Sequence, residues 1–219
     1  MSLSELWSLY GQNYIDALLA TWGMTLESFA IAMVLAVAVT VMRVSPLKPL
    51  RVFGDLYVQV FRNIPGIALL IIVVYALPPL KVVLPYRTCV IVATVLLGSA
   101  FGSENFMSGI NTVGVGQVEA ARSLGMSFNR IIAKIVIQHA QRSSLLPMTH
   151  LFIAVMITTA LASQLPLKPQ ELTGVVSYIN TRSLGGVAAF FISALGYLGT
   201  AFVVSHIGNY IDKKVRILR

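Results

Sequence analysis

Five long stretches without a charged side chain constrain this sequence more than any other feature. They are residues 28–42, 63–80, 88–103, 143–167 and 183–211. A transmembrane helix needs about 20 largely apolar residues, with a range of about 17–25. Allowing a polar residue near an end, we predict membrane-spanning helices near 20–42, 64–84, 88–109, 143–165 and 186–209. The predicted fold class is therefore all-α, in a polytopic membrane protein.

The composition excludes the main alternative classes. Hydrophobic residues make up 57% of the chain and charged residues 11%, against about 25% charged in soluble domains. A chain so poor in charge cannot cover a soluble globule with polar surface, and disordered chains are far more polar. A single cysteine, Cys89, excludes an intrachain disulfide, and three scattered histidines give no metal-binding pattern. We therefore expect no metal site.

The positions of the basic residues predict the orientation in the membrane. If the amino terminus is outside, twelve of the sixteen Lys and Arg residues lie on the inner side. An excess of Lys and Arg marks the cytoplasmic side, so we predict an external amino terminus and an internal carboxyl terminus. The net charge of +8 is then a topology signal, and we expect no nucleic-acid partner.

The first twenty residues contain no Lys or Arg, so no secretory signal peptide is expected. Apolar and aromatic residues recur there at helical spacing, which leaves two interpretations open. The segment is either a short helix in the outer membrane interface or an extension of the first span.

The longest predicted cytoplasmic segment, residues 110–142, contains the sequence GQVEAARSLG. We expect a short helix with Glu119 in its first turn, where a carboxylate suits the helix dipole. Ala120 and Ala121 are strong helix formers with small side chains, and Gly125 fits a C-terminal cap. Such a smooth helix suits insertion into a groove on a partner protein.

Within the same segment, a second helix is expected directly after Gly125, with Ser127 as its cap. Its polar residues recur at intervals of four positions, at Arg130, Lys134, Gln138 and Arg142.

The stretch Glu119–Gly125 resembles the EAA loop of permease subunits in ATP-binding-cassette importers. The surrounding sequence is similar to the polar amino-acid uptake group, which serves histidine, glutamate, glutamine, arginine and opines. Residues in register with that group occur along nearly the whole chain: Gly23-Met24-Thr25-Leu26, Phe61-Arg62-Asn63-Ile64-Pro65, Glu104, Gly109-Ile110, Thr112-Val113, Gly116-Gln117, Arg142, Pro147 and Glu171-Leu172.

The resemblance implies the type I importer fold, with five spans in one transmembrane domain over residues 1–219 of a bacterial cytoplasmic membrane protein. It also implies a pair of ATPase subunits, a second permease subunit, an external solute-binding protein and an amino-acid solute. The residues expected to couple to the ATPase are Glu119, Ala120, Ala121, Arg122, Leu124 and Gly125. The sequence has no G-x-x-x-x-G-K-[ST] motif. We therefore expect no cofactor and no catalytic residue on this chain, with ATP and Mg²⁺ on the ATPase.

A second set of residues is expected in the solute path or the permease interface: Arg62, Pro65, Glu104, Thr158, Thr159 and Gln164. Glu104 either takes part in that interface or lies at a solvated helix end. Arg62 either anchors the second span or only extends toward water. The two threonines bind either solute or their own helix backbone. Gly98 and Gly102 form a G-x-x-x-G pair that permits close helix contact.

Several positions depart from the family pattern. Ile137-Gln138 replaces Leu-Pro, so the second cytoplasmic helix should run straighter. His150 replaces an Asn, Met107 an Arg, and Met156-Ile157 a Lys-Asp pair. We infer either that a non-identical second permease supplies the solute contacts or that the substrate differs from the family average. Arg43–Pro46 and Ser108–Val113 most resemble glutamate importers, and we predict glutamate or glutamine as solute.

Two other classes compete with this reading. A small self-sufficient channel or secondary carrier would need a coupling site inside the membrane, and Glu104 is the one candidate in the spans. A membrane enzyme would need clustered reactive side chains, whereas the eight acidic residues are spread along the chain.

Overall fold

The computed structural model describes residues 2–182 and 186–215, in which every regular element is helical. The α-helices are α1 (Leu3–Arg43), α2 (Lys48–Asn63), α3 (Gly66–Ile71), α4 (Tyr86–Asn111), α5 (Val115–Ser123), α6 (Phe128–Ile131), α7 (Ile137–Thr158), α8 (Gly174–Asn180) and α9 (Gly186–Val215). Four shorter helical turns extend them: π turns at Ile72–Ala76 and Ile132–Val136, and 3₁₀ turns at Pro78–Leu80 and Thr159–Gln164.

Four helices are long and apolar enough to cross a membrane: Leu3–Arg43, Tyr86–Asn111, Lys134–Gln164 and Gly186–Val215. A bent pair, Lys48–Asn63 followed by Gly66–Leu80, supplies a fifth span if it is counted as one. The predicted all-α, membrane-spanning class is confirmed. The span limits and the placement of the termini stay predictions, and Arg216 and Arg219 of the basic carboxyl end lie outside the described residues.

The second predicted span is broken at its start. The axes of Lys48–Asn63 and Gly66–Leu80 differ by 103°, and Pro65 stands at the bend. Proline lacks the N–H that would continue the helix and keeps the preceding residue extended; Ile64 has ψ 127°. Pro78 and Pro79 then limit the other end. The segment after the bend is therefore short.

The first helix runs unbroken over 41 residues, about 60 Å at 1.5 Å per residue. A capping box begins it: the Glu5 N–H donates to Ser2 Oγ, and the Ser2 N–H donates to Glu5 Oε2 at 2.9 Å. The amino-terminal segment is therefore an extension of the first span and not a separate helix. Its inner face packs on α8 and α9 through the cluster Leu6, Tyr14, Ala17, Leu172, Val175, Ile179 and Ala189.

Helix α4 packs closely along α1 at the two glycines of the G-x-x-x-G pair. A Cβ on Gly98 would lie 3.2 Å from the Cβ of Ala32, and one on Gly102 would lie 2.9 Å from the Cβ of Ala36. Carbon atoms in contact are ordinarily about 3.5–4.0 Å apart. The close helix contact predicted from the sequence is confirmed.

Ion pairs join α1 and α4 at both ends of this contact. Arg87 Nη2 lies 2.8 Å from Glu27 Oε1, and Arg43 Nη1 lies 3.1 Å from Glu104 Oε2. The two helices therefore run parallel. From Arg87 to Glu104, α4 rises about 25 Å, close to the hydrocarbon thickness of a bilayer, about 30 Å.

The helix that follows α5 along the chain is continuous. It begins at Phe128, passes through the π turn and continues as α7 beyond Ile137-Gln138, the positions that lack the family's proline. Ser127 precedes it, and its carbonyl accepts hydrogen bonds from the N–H groups of Arg130 and Ile131.

The α1–α4 contact predicts opposite effects for two glycine-to-alanine substitutions. Alanine is favoured over glycine in a helix by about 1 kcal/mol, but at Gly102 the new Cβ would overlap Ala36. We expect Gly102→Ala to destabilise the protein by about 1–3 kcal/mol and to lower its thermal midpoint in detergent.

The matched control is Gly199→Ala in α9, because a Cβ there meets nothing within 4 Å. We expect its midpoint to be unchanged or higher. Equal midpoints for the two variants would contradict the packing described here.

Candidate functional site: a coupling helix, a cavity and two polar clusters

Helix α5 begins at Val115, after Gly114 at its N-cap. Glu119 therefore lies in the second turn, and its predicted place in the first turn is wrong. The reason is that Gly116 lies inside the helix, which begins four residues before Glu119.

The end of α5 is a Schellman motif closed by Gly125. The Met126 N–H donates to the Ala121 carbonyl at 3.1 Å, and the Gly125 N–H donates to the Arg122 carbonyl at 2.9 Å. Gly125 has φ +75°, a left-handed conformation that glycine adopts without strain. The predicted cap is confirmed, and the requirement is conformational, since a Cβ there would meet nothing within 4 Å.

Nearly the whole surface of α5 is open. Ala121 is its one buried residue, whereas Glu119, Ala120 and Arg122 are exposed. Leu124, directly after the helix, is 82% exposed. Val115, at the start of the helix, is 72% exposed, so two large apolar side chains are uncovered on a segment outside the candidate spans.

A charge cluster joins α1, α2 and α4 around the ion pair of Arg43 with Glu104. Glu104 Oε2 lies 3.1 Å from Arg43 Nη1 and 3.4 Å from Arg62 Nη1. Arg43 Nε also donates to Asp55 Oδ1 at 2.9 Å, and Arg43 is only 12% exposed. Glu104 is thus neither unpaired nor simply solvated: it forms ion pairs with cations from two neighbouring helices, and Asp55 supplies the second carboxylate of the cluster.

An open cavity of about 730 Å³ lies between α3, α4, α7 and the 3₁₀ turn Thr159–Gln164. Arg62 lines it and is the one charged residue among the described residues of its wall. The guanidinium also lies 5.4 Å from the ring centroid of Phe101, another wall residue. Thr94 contributes a buried hydroxyl that has no hydrogen-bond partner in the described part of the chain.

The structure brings three of the six residues predicted for the solute path into this wall: Arg62, Thr158 and Gln164. Pro65 lies at the bend before α3, and Glu104 adjoins the cavity through Arg62. Thr159 is buried elsewhere and donates to the Met156 carbonyl at 2.7 Å.

Thr158 lines the cavity but donates to the Ala154 carbonyl of its own helix at 2.8 Å. Of the two positions where the family has Lys-Asp, Met156 is buried, whereas Ile157 lines the cavity with 57% of its surface exposed. The cavity wall is therefore mainly apolar, with Arg62 at one edge.

A second polar cluster, centred on Glu171, holds the connection between α7 and α8. Both carboxylate oxygens accept hydrogen bonds: Oε2 from the Thr173 N–H at 2.6 Å and the Tyr197 hydroxyl at 2.9 Å, and Oε1 from the Gly174 N–H at 2.6 Å. The adjacent Leu172 N–H donates to Thr21 Oγ1. The connection is thus fixed to both α1 and α9.

Sequence reasoning matched Glu171 to the family but assigned it no role. Lying outside the candidate spans, it is buried to 1% exposure, and burial raises the pKa of its carboxyl above the ordinary value. The hydrogen bonds from Thr173, Tyr197 and Gly174 act in the opposite direction. The local signal was an acidic residue directly before Leu-Thr-Gly, because a carboxylate accepts the free N–H groups at a helix start.

Comparison with known proteins gives concordant matches. Residues 28–217 match the family described as "Binding-protein-dependent transport system inner membrane component". The glutamate transport system permease protein GluC of Corynebacterium efficiens is 31% identical, over 90% of this chain and 91% of that protein. The L-cystine transport system permease protein TcyB of Bacillus subtilis is 29% identical, over 95% and 91%. The crystal structure of an amino acid ABC transporter with histidines superposes with a TM-score of 0.92 at 23% identity, covering 98% and 99% of the two chains.

The raised pKa of Glu171 predicts a pH-dependent effect of Glu171→Gln. A carboxyl group whose pKa is higher in the folded state contributes stability that is fully present below its unfolded pKa, about 4.3, and is lost as pH rises through the folded pKa. Glutamine does not titrate. We therefore expect the thermal midpoint of Glu171→Gln, relative to the unsubstituted protein, to increase between about pH 4 and pH 7.

The measurement is thermal unfolding of both proteins in detergent at the two pH values. Glu119→Gln, which removes an exposed carboxylate from α5, controls for the loss of one acidic group. A relative midpoint that stays constant or falls with rising pH would contradict the assignment.

Proposed function

The chain belongs to the family of binding-protein-dependent transport system inner membrane components, and we propose that it is the permease subunit of an ATP-driven importer for glutamate or glutamine. The observation that carries the proposal is α5: a helix with an open surface, followed by the exposed Leu124 and closed by Gly125. A helix of this kind offers a soluble subunit both a shape to enclose and an apolar contact.

ATP and Mg²⁺ are assigned to a separate ATPase pair, because this sequence has no phosphate-binding G-x-x-x-x-G-K-[ST] motif. Force applied to α5 reaches the cavity by a short route. Helix α4 ends at Asn111, just before α5, and the helix that becomes α7 begins at Phe128, just after it. Both α4 and α7 line the cavity, so a displacement of α5 acts on two of its walls.

The cavity supplies the proposed solute path. Arg62 offers a cation for a carboxylate of the solute, and the Thr94 hydroxyl offers a neutral hydrogen bond. The relative from C. efficiens is named for glutamate transport and the one from B. subtilis for L-cystine. Both names denote amino acids that carry carboxylates, in agreement with a cation at the cavity edge.

The open side of the same cavity is the reason to propose a second permease subunit. It is open on one side, and a charged amino acid exposed there to hydrocarbon would pay a large desolvation cost. A second protein chain must therefore close it. Because Ile157 presents an apolar surface to the cavity, we assign the missing polar contacts to a non-identical partner.

The whole assembly comprises this chain, the second permease, two ATPase subunits and an external solute-binding protein in a bacterial cytoplasmic membrane. The amino terminus is placed outside and the carboxyl terminus inside. This orientation puts α5 and the inner charge cluster on the cytoplasmic side, where the ATPase is.

Substitution of Gly125 tests the coupling role. Gly125→Asp places a carboxylate at the negative end of the helix dipole and a Cβ at positive φ. We expect normal amounts of protein in the membrane, loss of amino-acid uptake, and loss of ATPase co-purification or of its stimulation by the binding protein. Gly125→Asn is the matched control, because asparagine tolerates positive φ and adds no charge.

We expect Gly125→Asn to retain most of the uptake. Normal uptake by Gly125→Asp would remove α5 from the mechanism. Uptake by this chain in cells that lack the ATPase would favour the channel or secondary carrier instead.

The non-identical partner is tested by expressing this chain with the ATPase and the binding protein but without a second permease. We expect uptake of glutamate and glutamine to fall to background, because two copies of Ile157 would leave the charges of the solute poorly matched. Adding the second permease should restore uptake. Full uptake in its absence would show a working homodimer.

A further inference from the structure

Helix α2 presents two opposite faces to its surroundings. Its apolar stripe consists of Leu50, Phe53, Leu56 and Val60, which recur at intervals of three or four positions. Its polar stripe consists of Lys48, Arg51, Asp55, Gln59 and Arg62. Gly54 and Val58 form the narrow edge between them that is buried in the chain, so most of both stripes remains uncovered.

The direction of each stripe follows from its contacts with α4. Next to the apolar stripe, the Tyr57 hydroxyl lies 2.7 Å from Ser99 Oγ. On the polar stripe, Arg62 pairs with Glu104, five residues or about 7.5 Å farther along α4. With α4 running from outside to inside, the apolar stripe faces the membrane centre and the polar stripe faces the cytoplasm.

Helix α2 also lies across the direction of the spans. Its axis makes an angle of 103° with the following segment Gly66–Leu80, which enters the membrane. The inner ion pairs of Arg43 with Asp55 and of Arg62 with Glu104 fix it at the cytoplasmic level. An amphipathic helix in the membrane plane, apolar side inward, has the geometry of an interfacial helix.

The exposure and charge of the two stripes fit a lipid surface. Phe53 and Leu56 are 59% and 58% exposed. Lys48 and Arg51, at the start of the polar stripe, are exposed and have no ion-pair partner among the described residues. Basic residues beside an apolar face that enters the membrane attract the anionic lipids of the cytoplasmic leaflet.

We propose that α2 is a lipid-binding helix, with its apolar stripe among the acyl chains of the cytoplasmic leaflet and with Lys48 and Arg51 binding anionic phospholipid headgroups. The proposal rests on the orientation given under the proposed function. It goes beyond that function because it adds a ligand, anionic phospholipid, to a surface away from the solute cavity.

Charge favours lipid over a second permease as the occupant of this face. The inner side of this chain is predominantly basic, and the positive-inside rule gives a second permease the same excess. Two such surfaces repel at this level, whereas an anionic leaflet attracts both. The apolar stripe therefore has a complementary neighbour in the membrane itself.

Depth-dependent fluorescence quenching tests the proposal directly. Cys89 is replaced by serine, and a single cysteine is introduced as Phe53→Cys on the apolar stripe or Gln59→Cys on the polar stripe. Each full-length chain is purified with its associated subunits, labelled with a small fluorophore and reconstituted. The vesicles contain phosphatidylcholine with either brominated phosphatidylcholine or brominated phosphatidylglycerol, the bromine atoms being on the acyl chains.

We expect strong quenching at position 53 and weak quenching at position 59, because only the apolar stripe reaches the acyl chains. At position 53 we expect stronger quenching by brominated phosphatidylglycerol than by brominated phosphatidylcholine. Adding Lys48→Gln and Arg51→Gln should bring the ratio of quenching by brominated phosphatidylglycerol to quenching by brominated phosphatidylcholine close to one. Position 53 should remain in the acyl region. Elution from a sizing column confirms that each variant is folded.

Three results would overturn the proposal. Absence of quenching at position 53 by either lipid would show that a protein covers the apolar stripe. Equal quenching at positions 53 and 59 would show that α2 is immersed and not interfacial. If the ratio of quenching by the two lipids at position 53 does not change with the two substitutions, Lys48 and Arg51 do not form a headgroup site. None of these results depends on uptake, so failure here is distinguishable from failure of the importer assignment.

Discussion

The close contact of α1 with α4 supports the rest of the structure. Gly98 and Gly102 bring the two helices together without intervening side chains, and an ion pair joins them at each end, Arg87 with Glu27 and Arg43 with Glu104. In a membrane, lipid tails provide no hydrophobic driving force between helices. Small residues let two helix backbones approach closely, and the close packing stabilises the pair by van der Waals attraction. The ion pair of Arg43 with Glu104 also holds α2, because Arg43 binds Asp55 and Glu104 binds Arg62.

The cavity and α5 are connected through the chain. Two walls of the cavity, α4 and α7, are connected by the single segment that contains α5. The Schellman closure at Gly125 gives α5 a defined end and turns the chain toward α6. Arg62 belongs to the cavity wall and to the inner charge cluster, so a displacement of α4 alters both the cavity and its one cation.

The connection between α7 and α8 is held by a different kind of interaction. Glu171 accepts two backbone N–H groups at the start of α8 and the hydroxyl of Tyr197 on α9, while the first half of α1 packs on the same two elements. A buried carboxylate is costly unless its oxygens are fully hydrogen-bonded, and here they receive three donors.

The sequence by itself determined the helical class, the EAA segment with its cap at Gly125, and the close contact at Gly98 and Gly102. Each depends on local properties: unbroken apolar length, backbone freedom and side-chain size. Only the tertiary structure decided the partners of Glu104, since Arg43 and Arg62 lie 61 and 42 positions away in the chain. It also decided that Glu171 meets Tyr197 and that a bend of 103° at Pro65 separates α2 from the segment that follows. Those outcomes depend on which helices become neighbours in space, a choice made by long-range packing that no local pattern records.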